Sequence, residues 1–156
     1  MDPKFKLVVE SLQGSFERLT AFVPINAGHE WSKDDTAGVY LFTENGVPLY
    51  VGRTNNLKRR YSLQTRTSSR HNQAVFAFRL AREATGYTKV AYKKGEGSRA
   101  WLGQHPPFLE AFNAAKRRVA AMDYRYVIEP DPVRQCILEV YCAVALNTRY
   151  NDFDNH

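Results

Sequence analysis

The stretch GVYLFTENGVPLYVGRTNNLKRRY, residues 38–61, decides the fold. Two runs rich in Val, Leu, Tyr and Phe, 38–43 and 47–52, flank Asn45-Gly46. Asn-Gly between such runs is the strongest short-range signal for a β-hairpin. Pro48 has no N–H for a ladder, so the second run is expected at a sheet edge, or with Pro48 at its start. After Gly52, RTNN offers several helix caps, and LKRRYSLQ follows as a short helix.

Working outward, residues 4–20 read as a helix interrupted near Gly14, and 21–36 as a connector. A helix is expected from about Asn72 to Arg82, and another over 108–122. Residues 86–107 are rich in Gly and Pro and read as an insertion or exposed loop. YRYVIE, 124–129, reads as a third strand. Asp131-Pro132 then opens a helix running to about Leu146, with Asp as cap and Pro in the first turn. The expected class is α+β: a small three-stranded sheet that begins with the hairpin and is flanked by helices. Residues 1–36 are expected to form an N-terminal helix and connector, and 37–156 the main domain with its insertion near 86–107, the whole one compact domain.

A chain of 156 residues with 44% hydrophobic and 24% charged residues can bury a core without staples. No apolar run approaches a membrane span and the start lacks a signal-peptide pattern, so no membrane partner and a cytoplasmic location are expected. Cys136 and Cys142 fit no zinc spacing, and His29, His71, His105 and His156 are too scattered to complete one. Both cysteines are expected as buried free thiols. The net charge is +6, and residues 53–70 hold six basic residues (Arg53, Lys58, Arg59, Arg60, Arg66, Arg70) with no acidic one. The whole excess therefore lies in one segment, which suits a polyanion. A basic helix face dressed for solvent fits the same charge.

In CILEVYCAVAL, 136–146, Glu139 is the only charge. Its helical neighbours at three, four and seven positions are Cys136, Cys142, Ala143 and Leu146, so it has no polar stripe to lie on. A carboxylate on such a surface is costly unless a cation or several donors compensate it. A bound metal would serve, as would a buried Glu–Arg pair or a position at the stripe's edge.

Together these pieces resemble the GIY-YIG nucleases. GVY at 38–40 and YVG at 50–52 look like the two motifs that name the family. In its excision-repair branch the catalytic arginine follows the second tyrosine by ten positions, and here Tyr50 plus ten is Arg60, in GRTNNLKRR. The family's glutamate lies twelve before an asparagine that ends a basic-Tyr-Asn triplet, and Glu139 plus twelve is Asn151, in RYN. The resemblance spans roughly residues 37–152. Some branches carry a histidine four positions after the arginine, where this chain has Gln64. His71 is a substitute from the next segment, or a helix-capping or surface histidine. Arg53 stands where related enzymes often have Lys, and it stays protonated, so it is no proton acceptor.

The resemblance implies a metal-dependent endonuclease acting on DNA, with RNA also open. Its small size and its insertion are like those of the family's restriction enzymes, and double-strand cutting by this chain would call for a homodimer. One divalent cation, Mg²⁺ or a relative such as Mn²⁺, is implied on Glu139; Mg²⁺ keeps its waters and needs few protein ligands. Arg60 would clamp the phosphate. Tyr50 would orient or deprotonate the attacking water, helped by Tyr40, and cationic neighbours would have to lower a tyrosine pKa near 10 for it to act as a base. Arg53, Lys58, Arg59, His71 and Asn151 would bind substrate, with a structural role for Asn151 equally open. The competing reading is a non-catalytic nucleic-acid-binding module on the same scaffold, and a third is an interaction protein whose basic helix meets an acidic partner. For Tyr40 and Tyr50 ordinary strand packing is the alternative. The shared site needs the two tyrosines on one face. We expect a three-residue loop, Glu44-Asn45-Gly46, which sets Tyr40 opposite Tyr50; a two-residue Asn45-Gly46 loop would set Tyr50 opposite Leu41 and turn the two tyrosines apart.

Overall fold

The computed structural model describes residues 1–26, 28–89, 91 and 93–154. The stretch 86–107, read as an insertion, includes two residues (Val90 and Tyr92) that lie outside the described ones, as does His156. The chain is α+β, in the order α1 (Pro3–Ser11), α2 (Gln13–Ala21), β1 (Gly38–Glu44), β2 (Val47–Thr54), α3 (Leu57–Thr65), α4 (Val75–Thr85), α5 (Arg99–Leu102), α6 (Pro106–Ala120), β3 (Asp123–Ile128) and α7 (Pro132–Leu146). It divides into two units, one of Met1–Arg60 with Met122–His156 and one of Tyr61–Ala121. Among the described residues no helix is long and apolar enough to cross a membrane.

The first unit holds the sheet, antiparallel throughout in the order β2-β1-β3. β2 is thus an edge, where Pro48 is tolerated. Side chains alternate across the sheet. Val39, Leu41, Val51 and Val127 face one way and pack with Leu12, Leu19, Leu138 and Cys142 of α1–α2 and α7. Tyr40, Phe42, Tyr50, Tyr124 and Tyr126 form the other face. Local chemistry sets the helix ends. Asp131 accepts from the Arg134 N–H at 2.8 Å with Pro132 beside it, and Asn147 closes α7 in the left-handed region at φ 50°. The N-terminal helix is interrupted near Gly14 as expected, with the break at Leu12, which is fully buried at the junction of α1 and α2.

The hairpin differs from the three-residue loop expected of it. Glu44 pairs with Val47 across a two-residue turn, and both Asn45 (φ 51°) and Gly46 (φ 77°) are left-handed. This is the mirror-image turn that Asn-Gly favours, because its twist matches that of the strands. The register then slips: Thr43 opposes Pro48 but Phe42 opposes Tyr50, so Leu49 is an extra residue. Such a bulge reverses the alternation beyond it. Tyr40 opposes Gly52, not Tyr50, and yet Tyr40 and Tyr50 stand on one face, ring centroids 6.3 Å apart.

The cysteines also depart from expectation, since Cys142 is buried but Cys136 is exposed. α7 is apolar nearly all round, and its outer stripe of Val133, Cys136, Val140 and Val144 faces away from the sheet. Burial, and then the charge of Glu139, push the Cys142 thiol up to about 12. In the native protein at neutral pH one thiol, Cys136, is expected to react promptly with a disulfide reagent, and both in denaturant. Two fast thiols in the native protein would contradict this packing of α7.

The second unit is helical. α4 and α6 pack through Phe78 against Phe108 and Phe112. Gln64, fully buried, accepts from the Phe76 N–H at 3.3 Å and so serves the open start of α4. Helix α4 runs over 75–85 rather than 72–82, and Gly86 closes it at φ 81°. Part of the expected loop is helical: Ser98 caps the short α5, and α6 begins at Pro106.

Candidate functional site

Two glycines of the opening stretch are fixed by what lies over them. A Cβ on Gly52 would overlap the Tyr40 ring at Cζ and the hydroxyl oxygen. The Tyr40 ring therefore lies across the strand opposite, stacked on Tyr124 at 5.5 Å and 21° on its other side. Its hydroxyl accepts from Arg60 Nε at 3.3 Å. Arg60 reaches it from the first turn of α3, where Asn56 caps the helix by accepting from the Arg59 N–H at 2.9 Å. Tyr40, Tyr50 and Arg60 are thereby brought together. A Cβ on Gly38 would overlap the Val127 carbonyl oxygen, so the other motif glycine lets β1 and β3 close up.

Glu139 lies elsewhere. It meets Arg53, whose Nε donates to Oε2 at 3.0 Å. Arg53 opposes Val39 and so leaves β2 on the face that α7 covers, away from the tyrosines. The two clusters lie at the same end of β2, on opposite faces of the sheet. The Arg53 side chain is 46% exposed and that of Glu139 20%, so the pair contributes little to stability, about 0–1 kcal/mol. Its role is to compensate a carboxylate that the apolar face of α7 does not.

Asn151 fastens this end of β2. Its Oδ1 accepts from the Val51 N–H at 2.9 Å and its Nδ2 donates to the Val51 carbonyl at 2.8 Å, as a neighbouring strand would. Thr148 Oγ1 donates to the same Oδ1 at 2.8 Å, and the Tyr150 N–H bonds the Leu49 carbonyl at 3.1 Å. The basic-Tyr-Asn triplet thus covers the sheet edge beside Tyr50.

Lys58 and Arg59 are exposed, and no carboxylate pairs with either among the described residues. The first turn of α3 holds no acidic residue. Cations at the positive end of a helix dipole oppose its stability, whereas a helix dressed only for solvent favours acids there. The arrangement instead concentrates positive potential beside Arg60. His71 lies in the second unit. Burial, then Arg99 and Arg70, lower its pKa, and its Nδ1 is buried without a hydrogen-bond partner among the described residues.

Among the described residues no three His, Cys, Asp or Glu side chains converge as a metal cage. Glu139 is a single carboxylate and its neighbour Cys142 a neutral thiol. Such a donor set suits a hydrated hard cation taking one protein oxygen and completing its shell from waters and phosphate.

Tyr124 and Tyr126 were missed by motif reading, although their period-2 spacing on β3 puts them on the tyrosine face. Tyr126 donates to Asp35 Oδ2 at 3.0 Å and meets His29 Nε2 at 3.0 Å, and Trp31 stacks on it at 5.1 Å. Burial and the Asp35 bond raise its pKa, which makes it an anchor for the 22–36 connector rather than a base. Comparison of the chain with family models, curated proteins and solved structures returned no match.

Proposed function

We propose that the chain is a divalent-cation-dependent endonuclease of the GIY-YIG type that hydrolyses phosphodiester bonds in DNA. One observation carries the proposal: Arg60 Nε donates to the hydroxyl of Tyr40, whose ring lies over a glycine, Gly52, where no side chain would fit. Ordinary strand packing gives no reason to aim a guanidinium at a tyrosine hydroxyl.

In this reading Lys58, Arg59 and Arg53 hold the phosphate backbone without reading sequence. Arg60 binds the scissile phosphate and neutralises the charge that grows on its oxygens, an effect worth about 10²–10³ in rate for one well-placed donor. The Tyr50 hydroxyl orients the attacking water, and the Tyr40 hydroxyl, held by Arg60, sets the distance between ring and phosphate. Asn151 keeps the end of β2 rigid beneath them. Glu139 would hold Mg²⁺ or Mn²⁺, which when bound supplies Lewis-acid stabilisation of the phosphate. Phosphate binding by Arg53 would free the Glu139 carboxylate from their present contact.

The second reading, a binding module without catalysis, is favoured by one fact: Glu139 is already paired with Arg53. Incubation with supercoiled plasmid and Mg²⁺, with an EDTA control and with Glu139→Ala and Arg60→Ala alongside, separates the two. We expect Mg²⁺-dependent nicked or linear product from the wild type alone. Plasmid binding with no product would support the module, and neither binding nor product would end both readings.

A further inference from the structure

The second unit contains a cleft of about 420 Å³, within the ~300–1,000 Å³ range of small-molecule sites. Arg70, Arg99 and Lys116 line it, and no Asp or Glu does. Among the described residues none of the three cations is paired with a carboxylate.

Lys116 is the informative one. It is 4% exposed, and its Nζ donates to the carbonyls of Thr67 and Ser69 (the latter at 3.1 Å) and lies 4.5 Å from the centre of the Phe112 ring. Two of its three donors are thus spent on neutral oxygens, and among the described residues no carboxylate balances its charge. A buried ammonium in that state is expensive, and burial lowers its pKa accordingly. Arg99 lies over the Phe78 ring at 5.1 Å, a contact that holds its guanidinium in the wall of the cleft. The unpartnered Nδ1 of His71 lies in the same wall.

The remainder of the cleft is of different character. Phe108, Phe112 and the half-exposed Leu109 give it an apolar floor, and the exposed amide side chains of Gln104 and Asn113 also line it. An inorganic anion would leave that floor wet, and an apolar ligand would leave Lys116 uncompensated. A flat ring system with hydrogen-bonding edges and an attached phosphate would use every part. Amide side chains match base edges by paired donor and acceptor, and guanidinium and ammonium groups match phosphate.

We infer that this cleft binds a single nucleotide, with its phosphate on Arg70, Arg99 and Lys116 and its base over the phenylalanine floor. The nucleotide comes either free or as one unit of a strand. The inference does not rest on the nuclease reading, since it uses none of Tyr40, Tyr50, Arg60 or Glu139.

The test is calorimetric titration of the whole chain with deoxyadenosine 5′-monophosphate in EDTA, so that cleavage plays no part. Deoxyadenosine, inorganic phosphate and a single-stranded oligonucleotide carrying 2-aminopurine are titrated in parallel. Saturable one-to-one binding of the monophosphate is expected. Removing its phosphate, or Arg99→Ala, should weaken it at least tenfold. Arg99 and Arg70 are exposed, so Arg99→Ala and Arg70→Ala test the site even where Lys116→Met fails to fold. Binding of the free nucleotide alone identifies a mononucleotide site. A 2-aminopurine signal that Arg99→Ala abolishes identifies a nucleotide within a strand. The inference is overturned if neither ligand binds, if inorganic phosphate binds as tightly as the nucleotide, or if binding survives both arginine variants unchanged.

Discussion

Gly38→Ala is expected to cost about 3 kcal/mol of stability and to lower Tm by about 6–12 °C. The added methyl would overlap the Val127 carbonyl oxygen and stand 3.1 Å from Leu57 Cδ1. The first of these is backbone in β3, paired to β1 through Gly38 and Ile128, so no rotamer change relieves it. Either the two strands part or the end of the sheet rotates, and Val39, fully buried one residue on, moves with it. Against a typical stability of about 5–15 kcal/mol this is a large fraction. Gly14→Ala is the control. Its methyl meets only the flexible end of Arg18 at 3.4 Å, on a helix where alanine is favoured by up to ~1 kcal/mol, so it should be neutral or stabilising. Thermal denaturation of the two variants side by side reads the difference. Equal melting temperatures would mean that β1 and β3 are not this close.

Glu139→Gln should remove cleavage, by about 10²-fold or more, while leaving the fold and DNA binding in place. The amide keeps the volume and still accepts from Arg53 through its oxygen. What is lost is the negative charge that would hold a divalent cation. Stability should change little, because the pair it weakens is half in water and worth about 0–1 kcal/mol. DNA binding should hold or tighten, because a carboxylate facing a polyanion is removed and Arg53 is freed for phosphate. A purely structural Glu139 gives the opposite pattern: lower Tm and unchanged chemistry per folded molecule.

Much of this was legible in the residues, and what was not has definite causes. Asn45-Gly46 located the hairpin and Asp131-Pro132 the start of α7, because turn and cap chemistry are local. The register was not legible. It depends on an extra residue, Leu49, beside a proline that gives no N–H to the ladder, and one slip reverses which side chains share a face. The motif spacing singled out Tyr40, Tyr50, Arg60 and Glu139, but not that Glu139 pairs with Arg53 on the far side of β2. Of the alternatives that the lone glutamate left open, a Glu–Arg pair is observed, but partly exposed rather than buried. The cleft of the second unit was hidden in plain composition. Lys116 reads as the first of a basic run, KRR, yet it falls four and eight residues after Phe112 and Phe108, on the buried stripe of α6. That periodicity was the signal that could have found it.

The central claim is that this chain hydrolyses phosphodiester bonds through the residues around the end of β2. The most direct test is a time course of supercoiled plasmid cleavage in Mg²⁺ by wild type and Glu139→Gln, with DNA affinity measured on the same preparations. The account predicts cleavage by the wild type, none above background by the variant, and equal or tighter binding by the variant. Cleavage by Glu139→Gln at the wild-type rate, or none by either protein despite tight binding, would contradict it.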